Sequence, residues 1–190
     1  MPSPSRRSKK LASAPVDRLF AQVDSEEKAY ALGWLALDGA RRKDALVVQV
    51  KRRDQPILRR LGDILGAPLP VRAVRDRLGL TVRSASMLAD VCRALDVAPG
   101  ARAQAEVFPD LGAERLGWAF LRGYFDGAGA IDEPVDDEDG AAPSAGPRCT
   151  LGGSARMLTA VAAFCAIPAR REPEALTWGG NNALDLLARL

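Results

Sequence analysis

A chain of 190 residues, 47% hydrophobic and 27% charged, has ordinary globular composition and room for one large domain or two small ones. It contains no histidine, which excludes Ser-His-Asp and Cys-His catalysis and any His-bearing zinc site; metal chemistry would rest on carboxylates and backbone oxygens, the ligands of Mg²⁺ or Ca²⁺. No stretch is apolar over the roughly 18 residues a membrane span needs, and the basic, Ser/Pro-rich start lacks the apolar core of a secretory signal.

Cys92, Cys149 and Cys165 have no CxxC spacing, so they read as reduced, mostly buried thiols of a cytoplasmic protein. The net charge of +3 is unevenly spread: residues 41–83 hold twelve Arg/Lys against four Asp, a surplus of +8. Residues 112–190 hold seven Arg against eleven acids, a deficit of −4. The first half therefore presents a surface suited to a polyanion.

In chain order, residues 1–14 read as disordered, and 1–24 are assigned to a disordered basic tail. Ser25 followed by Glu26 and Glu27 predicts a helix start, with the helix running to about Leu37 and stopping at Gly39. Residues 45–53 predict a strand, because Leu46, Val48 and Val50 alternate with Gln49, Lys51 and Arg53. A helix begins near Gln55-Pro56 and ends at Gly66. Short strands are expected at 69–75 and 80–83 around a turn at Arg77-Leu78-Gly79, followed by a helix capped by Ser84 or Ser86. Residues 98–111, with Pro99, Gly100 and Pro109, read as a linker.

The second half repeats this order. A helix is expected at 114–125, strands at 130–133 and 148–151, a helix capped by Ser154, strands at 169–171 and 175–178, and a helix opened by Asn181. Residues 132–147 carry six acids among Pro and Gly, too polar to fold alone. They predict a long acidic hairpin loop.

The two halves, 25–97 and 112–190, share a motif. Residues 31–39 (Ala-Leu-Gly-Trp-Leu-Ala-Leu-Asp-Gly) and 121–129 (Leu-Arg-Gly-Tyr-Phe-Asp-Gly-Ala-Gly) both place Gly at their third position, Gly33 and Gly123, and Gly at their end. Lacking side chains, Gly33 and Gly123 would let two helices approach closely. Just before the final Gly, the first copy has Asp38 and the second Ala128.

This motif resembles the signature helix of the LAGLIDADG homing endonucleases, and the αββαββα order of each half is similar to theirs. The resemblance implies an α+β fold of two pseudo-symmetric units. Their antiparallel sheets would form a saddle on double-stranded DNA, with the two motif helices packed at the centre. It places Asp38 at the family's metal-binding catalytic position, with Mg²⁺ as the cofactor of an active enzyme. Ala128 falls on the matching position and cannot bind metal, so the second motif is degenerate. Asp126, two residues earlier on another helix face, reads as structural rather than as a substitute ligand.

The candidate DNA contacts are Gln49, Lys51, Arg53, Thr81 and Arg83, with Arg72 or Arg75 according to register; such side chains meet phosphates or base edges. The leading expectation is a monomeric DNA-binding protein whose cleavage is weakened or lost. Two alternatives stand beside it: a Mg²⁺-dependent endonuclease or nickase using Asp38, and a non-nuclease scaffold binding a protein partner through its acidic loop. No membrane partner is expected.

Overall fold

The computed structural model describes residues 16–37, 45–66, 72–74, 76–98, 105–132 and 146–190. The first half builds α1 (Glu26–Leu35), β1 (Leu46–Lys51), α2 (Gln55–Ile64), β2 (Arg72–Val74), β3 (Arg77–Val82) and α3 (Ala85–Ala94). The second builds α4 (Glu114–Ala128), β4 (Gly129–Asp132), β5 (Arg148–Gly152), α5 (Ala155–Cys165), β6 (Arg170–Glu172), β7 (Ala175–Gly179) and α6 (Asn181–Arg189). Both sheets are antiparallel: the first has strand order β1-β3-β2 and the second β4-β5-β7-β6. The order β5-β7-β6 repeats β1-β3-β2, with β4 added at an edge. In the first half the counterpart of β4 would fall at 38–44, outside the described residues.

Local chemistry sets the helix starts. The hydroxyls of Ser25, Ser84 and Ser154 accept from the amides of Lys28 (3.3 Å), Met87 (3.1 Å) and Met157 (3.2 Å), each satisfying a donor that the first helical turn leaves unpaired. Between the two Ser candidates for α3, Ser84 is the cap, and Ser86 bonds to its hydroxyl at 3.2 Å. Pro56 sits in the first turn of α2, where its missing N–H costs nothing.

Each sheet buries one face. In β1 the side chains of Leu46, Val48 and Val50 are buried while Gln49 and Lys51 are exposed. Leu80 and Val82 of β3 join them against Leu58 and Leu61 of α2 and Met87 and Val91 of α3. The second sheet does the same with Cys149, Leu151, Leu176 and Trp178 against α5 and α6.

At the centre α1 packs on α4. Every residue of α1 from Ala29 to Leu35 is buried, as expected of a helix covered on all sides. The crossing is reciprocal. A Cβ on Gly33 would overlap the carbonyl oxygen of Phe120 and stand 2.7 Å from the amide nitrogen of Tyr124. A Cβ on Gly123 would overlap the carbonyl oxygen of Tyr30 and stand 2.8 Å from its carbonyl carbon. All these neighbours are backbone, so no rotamer change could relieve the clash.

Three expectations change. The turn placed at Arg77-Leu78-Gly79 is strand: β3 begins at Arg77 and pairs with β1 and β2 along its length. The strand placed over 45–53 ends at Lys51, and Arg53 lies in a 3₁₀ turn leading into α2. Residues 16–24, assigned to the basic tail, include a 3₁₀ turn at Val16–Arg18 and the buried Phe20. The Asp90 carboxylate, only 5% exposed, pins this segment by pairing with Arg18 at 3.7 Å and with Arg93. The linker is also held in its second half, where the Ala105 amide donates to the Ala36 carbonyl at 2.8 Å. Residues 133–145 of the acidic loop lie outside the described residues.

Gly33→Ala or Gly123→Ala should lower the unfolding free energy by about 1–3 kcal/mol, the usual cost of overpacking. Gly179, with nothing within 4 Å of its Cβ position, should tolerate Ala within about 0.5 kcal/mol. Urea denaturation of the three variants checks this.

Candidate nucleic-acid interface

The open face of the first sheet is built by strand alternation. In the β1–β3 register, Val47 opposes Thr81, Gln49 opposes Gly79, and Lys51 opposes Arg77. Gln49, Lys51, Arg77 and Thr81 are all exposed. Arg83 follows β3 on the same alternation and is also exposed. In β2, Arg72 opposes Gly79, which puts its register position on this face.

The two strands β1 and β3 put no carboxylate on this face, and Lys51, Arg77 and Arg83 form no salt bridge among the described residues. Arg53, by contrast, is off the sheet and lies 3.7 Å from Asp54. Arg75 lies outside the described residues. Arg77 is the basic residue that sequence reading missed here. The i, i+2 pattern running back from Arg83 through Thr81 and Gly79 points to it, but the glycine suggested a turn.

The open face of the second sheet is a groove of ≈ 610 Å³ whose lining includes Asp132, Arg148, Thr150, Arg170, Glu172 and Thr177. Its charges cancel locally. Arg170 lies 3.7 Å from Glu172, and Asp132 stands opposite Arg148 in the strand register.

The C-terminal ends of the central helices meet. A Cβ on Gly127 would overlap the Leu37 side chain and lie 3.2 Å from the Trp34 ring. Ala128 ends α4 and brings only a methyl group. Asp38 lies outside the described residues. Asp126 is engaged elsewhere: it accepts a hydrogen bond from the Tyr30 hydroxyl at 2.7 Å, and the Trp34 indole N–H donates to that hydroxyl at 3.3 Å. This relay clips α1 to α4. Among the described residues no group of three His, Cys, Asp or Glu side chains could hold a metal ion.

No family model matches the chain, and no curated protein matches it in sequence. Solved structures do match. A LAGLIDADG homing endonuclease, I-GzeII, in complex with its DNA target is 10% identical with a TM-score of 0.52, covering 78% of this chain and 76% of that one. A double mutant of I-SmaMI is 9% identical with a TM-score of 0.54, covering 82% and 81%. The meganuclease I-SmaMI bound to uncleavable DNA is 11% identical with a TM-score of 0.50, covering 86% and 82%. The fold is that of the LAGLIDADG meganucleases. Mixed helices and two antiparallel sheets around a paired central helix are the features that place this chain in it.

The clip between the helices titrates. Burial, then the hydrogen bond to Asp126, pushes the Tyr30 phenol up from 10.0 to about 12. Folded chains therefore hold a proton that unfolded chains release between those values. The stability this adds is complete below pH 10 and is lost as pH rises through 12. Tyr30→Phe should be less stable than wild type at neutral pH, and the gap should close across that window in urea titrations.

Proposed function

We propose that this chain is a double-stranded DNA-binding protein that docks through the open sheet faces, with the first sheet carrying the phosphate contacts and with cleavage weakened or lost. The observation that carries this reading is the open face formed by β1 and β3. Lys51, Arg77 and Arg83 stand there beside Gln49 and Thr81 with no salt bridge among the described residues, and neither strand has an acid on its share of the face. Unpaired cations spaced along a sheet suit a backbone that carries one charge per few ångströms, and binding releases the counterions condensed on it. Gln49 is suited to an adenine edge, and the arginines to guanine.

Arg72, the alternative that the register selects over Arg75, extends this surface. Arg53 is left out because of its turn position. The second sheet, with its arginines balanced by Asp132 and Glu172, contributes shape and hydroxyl contacts rather than net charge. The fold is shared with proteins crystallised with DNA, such as I-GzeII with its target, which supports the reading.

Lost or weakened cleavage rests on Ala128, which brings a methyl group to a position where the fold's resemblance calls for a carboxylate. Asp126 is turned to the α1 seam instead, where its Oδ2 accepts from the Tyr30 hydroxyl. A nickase reading keeps Asp38 as the one acid at the paired positions before the final glycines, Asp38 and Ala128. We assign no metal-dependent step to the described residues.

A salt titration of duplex binding tests the proposal. Log K against log salt should fall with a slope of several units. Lys51→Ala and Arg77→Ala should each reduce that slope by about 1. Arg148→Ala and Arg170→Ala should change it by less. A salt-independent affinity would contradict the reading. On plasmid DNA with Mg²⁺, the wild type should show little or no cutting, and Ala128→Asp should raise it. Asp38→Asn should then abolish that gain and spare binding.

A further inference from the structure

On the opposite side from the open sheet faces, a cavity of ≈ 400 Å³ lies between the two halves, lined only by residues of α1, α2, α4 and α6. Four guanidinium groups converge on it, from Arg60, Arg115, Arg122 and Arg189. Arg115 is spoken for by Glu26 at 3.7 Å, a pair that joins α1 to α4. The Glu114 carboxylate accepts from the Trp118 indole N–H at 3.2 Å. Glu27 is the remaining acid of the lining, and its carboxyl is held below the usual range by its own backbone and Ser25 hydrogen bonds and by the charge of Arg60.

The other three arginines form no salt bridge among the described residues. Two of them are held in place by aromatic rings. Arg60 lies 4.2 Å from the centroid of Tyr30, and Arg189 lies 5.3 Å from that of Trp118. Such stacking fixes a guanidinium in orientation while leaving its N–H fork free. Oriented forks with no salt bridge among the described residues favour an anion with several oxygens. The volume falls in the range of small-ligand sites.

We propose that this cavity binds a small phosphate-bearing ligand, held by Arg60, Arg122 and Arg189 across the junction of the two halves. The site is separate from the sheet surface proposed for DNA. It reads both halves at once, since Arg60 comes from the first and Arg122 and Arg189 from the second. A ligand there ties α2 and α6 to the central helix pair.

The test is calorimetric titration of the full chain with inorganic pyrophosphate and, separately, with ATP. Saturable binding of one equivalent is expected. Arg122→Ala and Arg189→Ala, both at exposed positions, should each weaken it about tenfold, the loss of one charge-assisted contact. Lys51→Ala and Arg77→Ala should leave it unchanged, and duplex DNA should not compete. Binding should also change tryptophan fluorescence, and Trp118→Phe should remove that change, since Trp34 and Trp178 are buried away from the cavity. Tighter binding of ATP would assign the ligand as a nucleotide; equal affinity would assign the phosphates alone. The proposal is overturned by the absence of saturable binding at about 10 mM of either compound, by unchanged affinity in the Arg122 and Arg189 variants, or by loss of binding in the Lys51 and Arg77 variants.

Discussion

The structure depends on one contact, the crossing of α1 and α4 at Gly33 and Gly123. Each glycine is opposed by the other helix's backbone, not by side chains that could move. The helices therefore meet at a separation that no larger residue at either position would allow. Both sheets are tied to that separation. β4 starts at Gly129, the residue after α4 ends, so the second sheet takes its orientation directly from the helix. The first sheet rests on α1 and α2 through Leu46, Val48 and Val50. The Tyr30–Asp126 hydrogen bond adds a polar fix to an otherwise apolar seam, and a satisfied polar pair in such a seam specifies register as well as strength.

Charge is divided by the same geometry. The open face of the first sheet carries basic residues that form no salt bridge among the described residues, and that of the second neutralises its own. On the helical side, the guanidiniums of Arg60, Arg122 and Arg189 line a cavity between the halves. A polyanion and a small anion would thus meet different surfaces, separated by the helix pair. The uneven charge of the sequence reaches the surface as an uneven pair of sheets, and salt dependence reports on the first sheet more than on the second.

Much of this was legible in the residues. The paired glycines mark the crossing because backbone contact admits no substitute. The serine caps and the alternation in β1 read directly, because their causes are local. The errors came where a local signal yielded to pairing. Gly79 suggested a turn, yet it lies mid-strand, opposed by Gln49 on one side and Arg72 on the other. The turn falls before Arg77 instead, which moves that arginine onto the open face. The polar start of the chain hid the burial of Phe20, in a segment held by a long-range ion pair between Arg18 and Asp90. No sequence pattern announced the stacking of Arg60 on Tyr30, because that pair joins separate helices, and the same holds for Arg189 on Trp118.

The most direct test of the helix crossing is nuclear Overhauser spectroscopy on isotope-labelled protein. The account predicts strong cross-peaks from the Gly33 α-protons to the Tyr124 amide proton, and from the Gly123 α-protons to the Tyr30 α-proton. Their absence, with both helices otherwise formed, would contradict it.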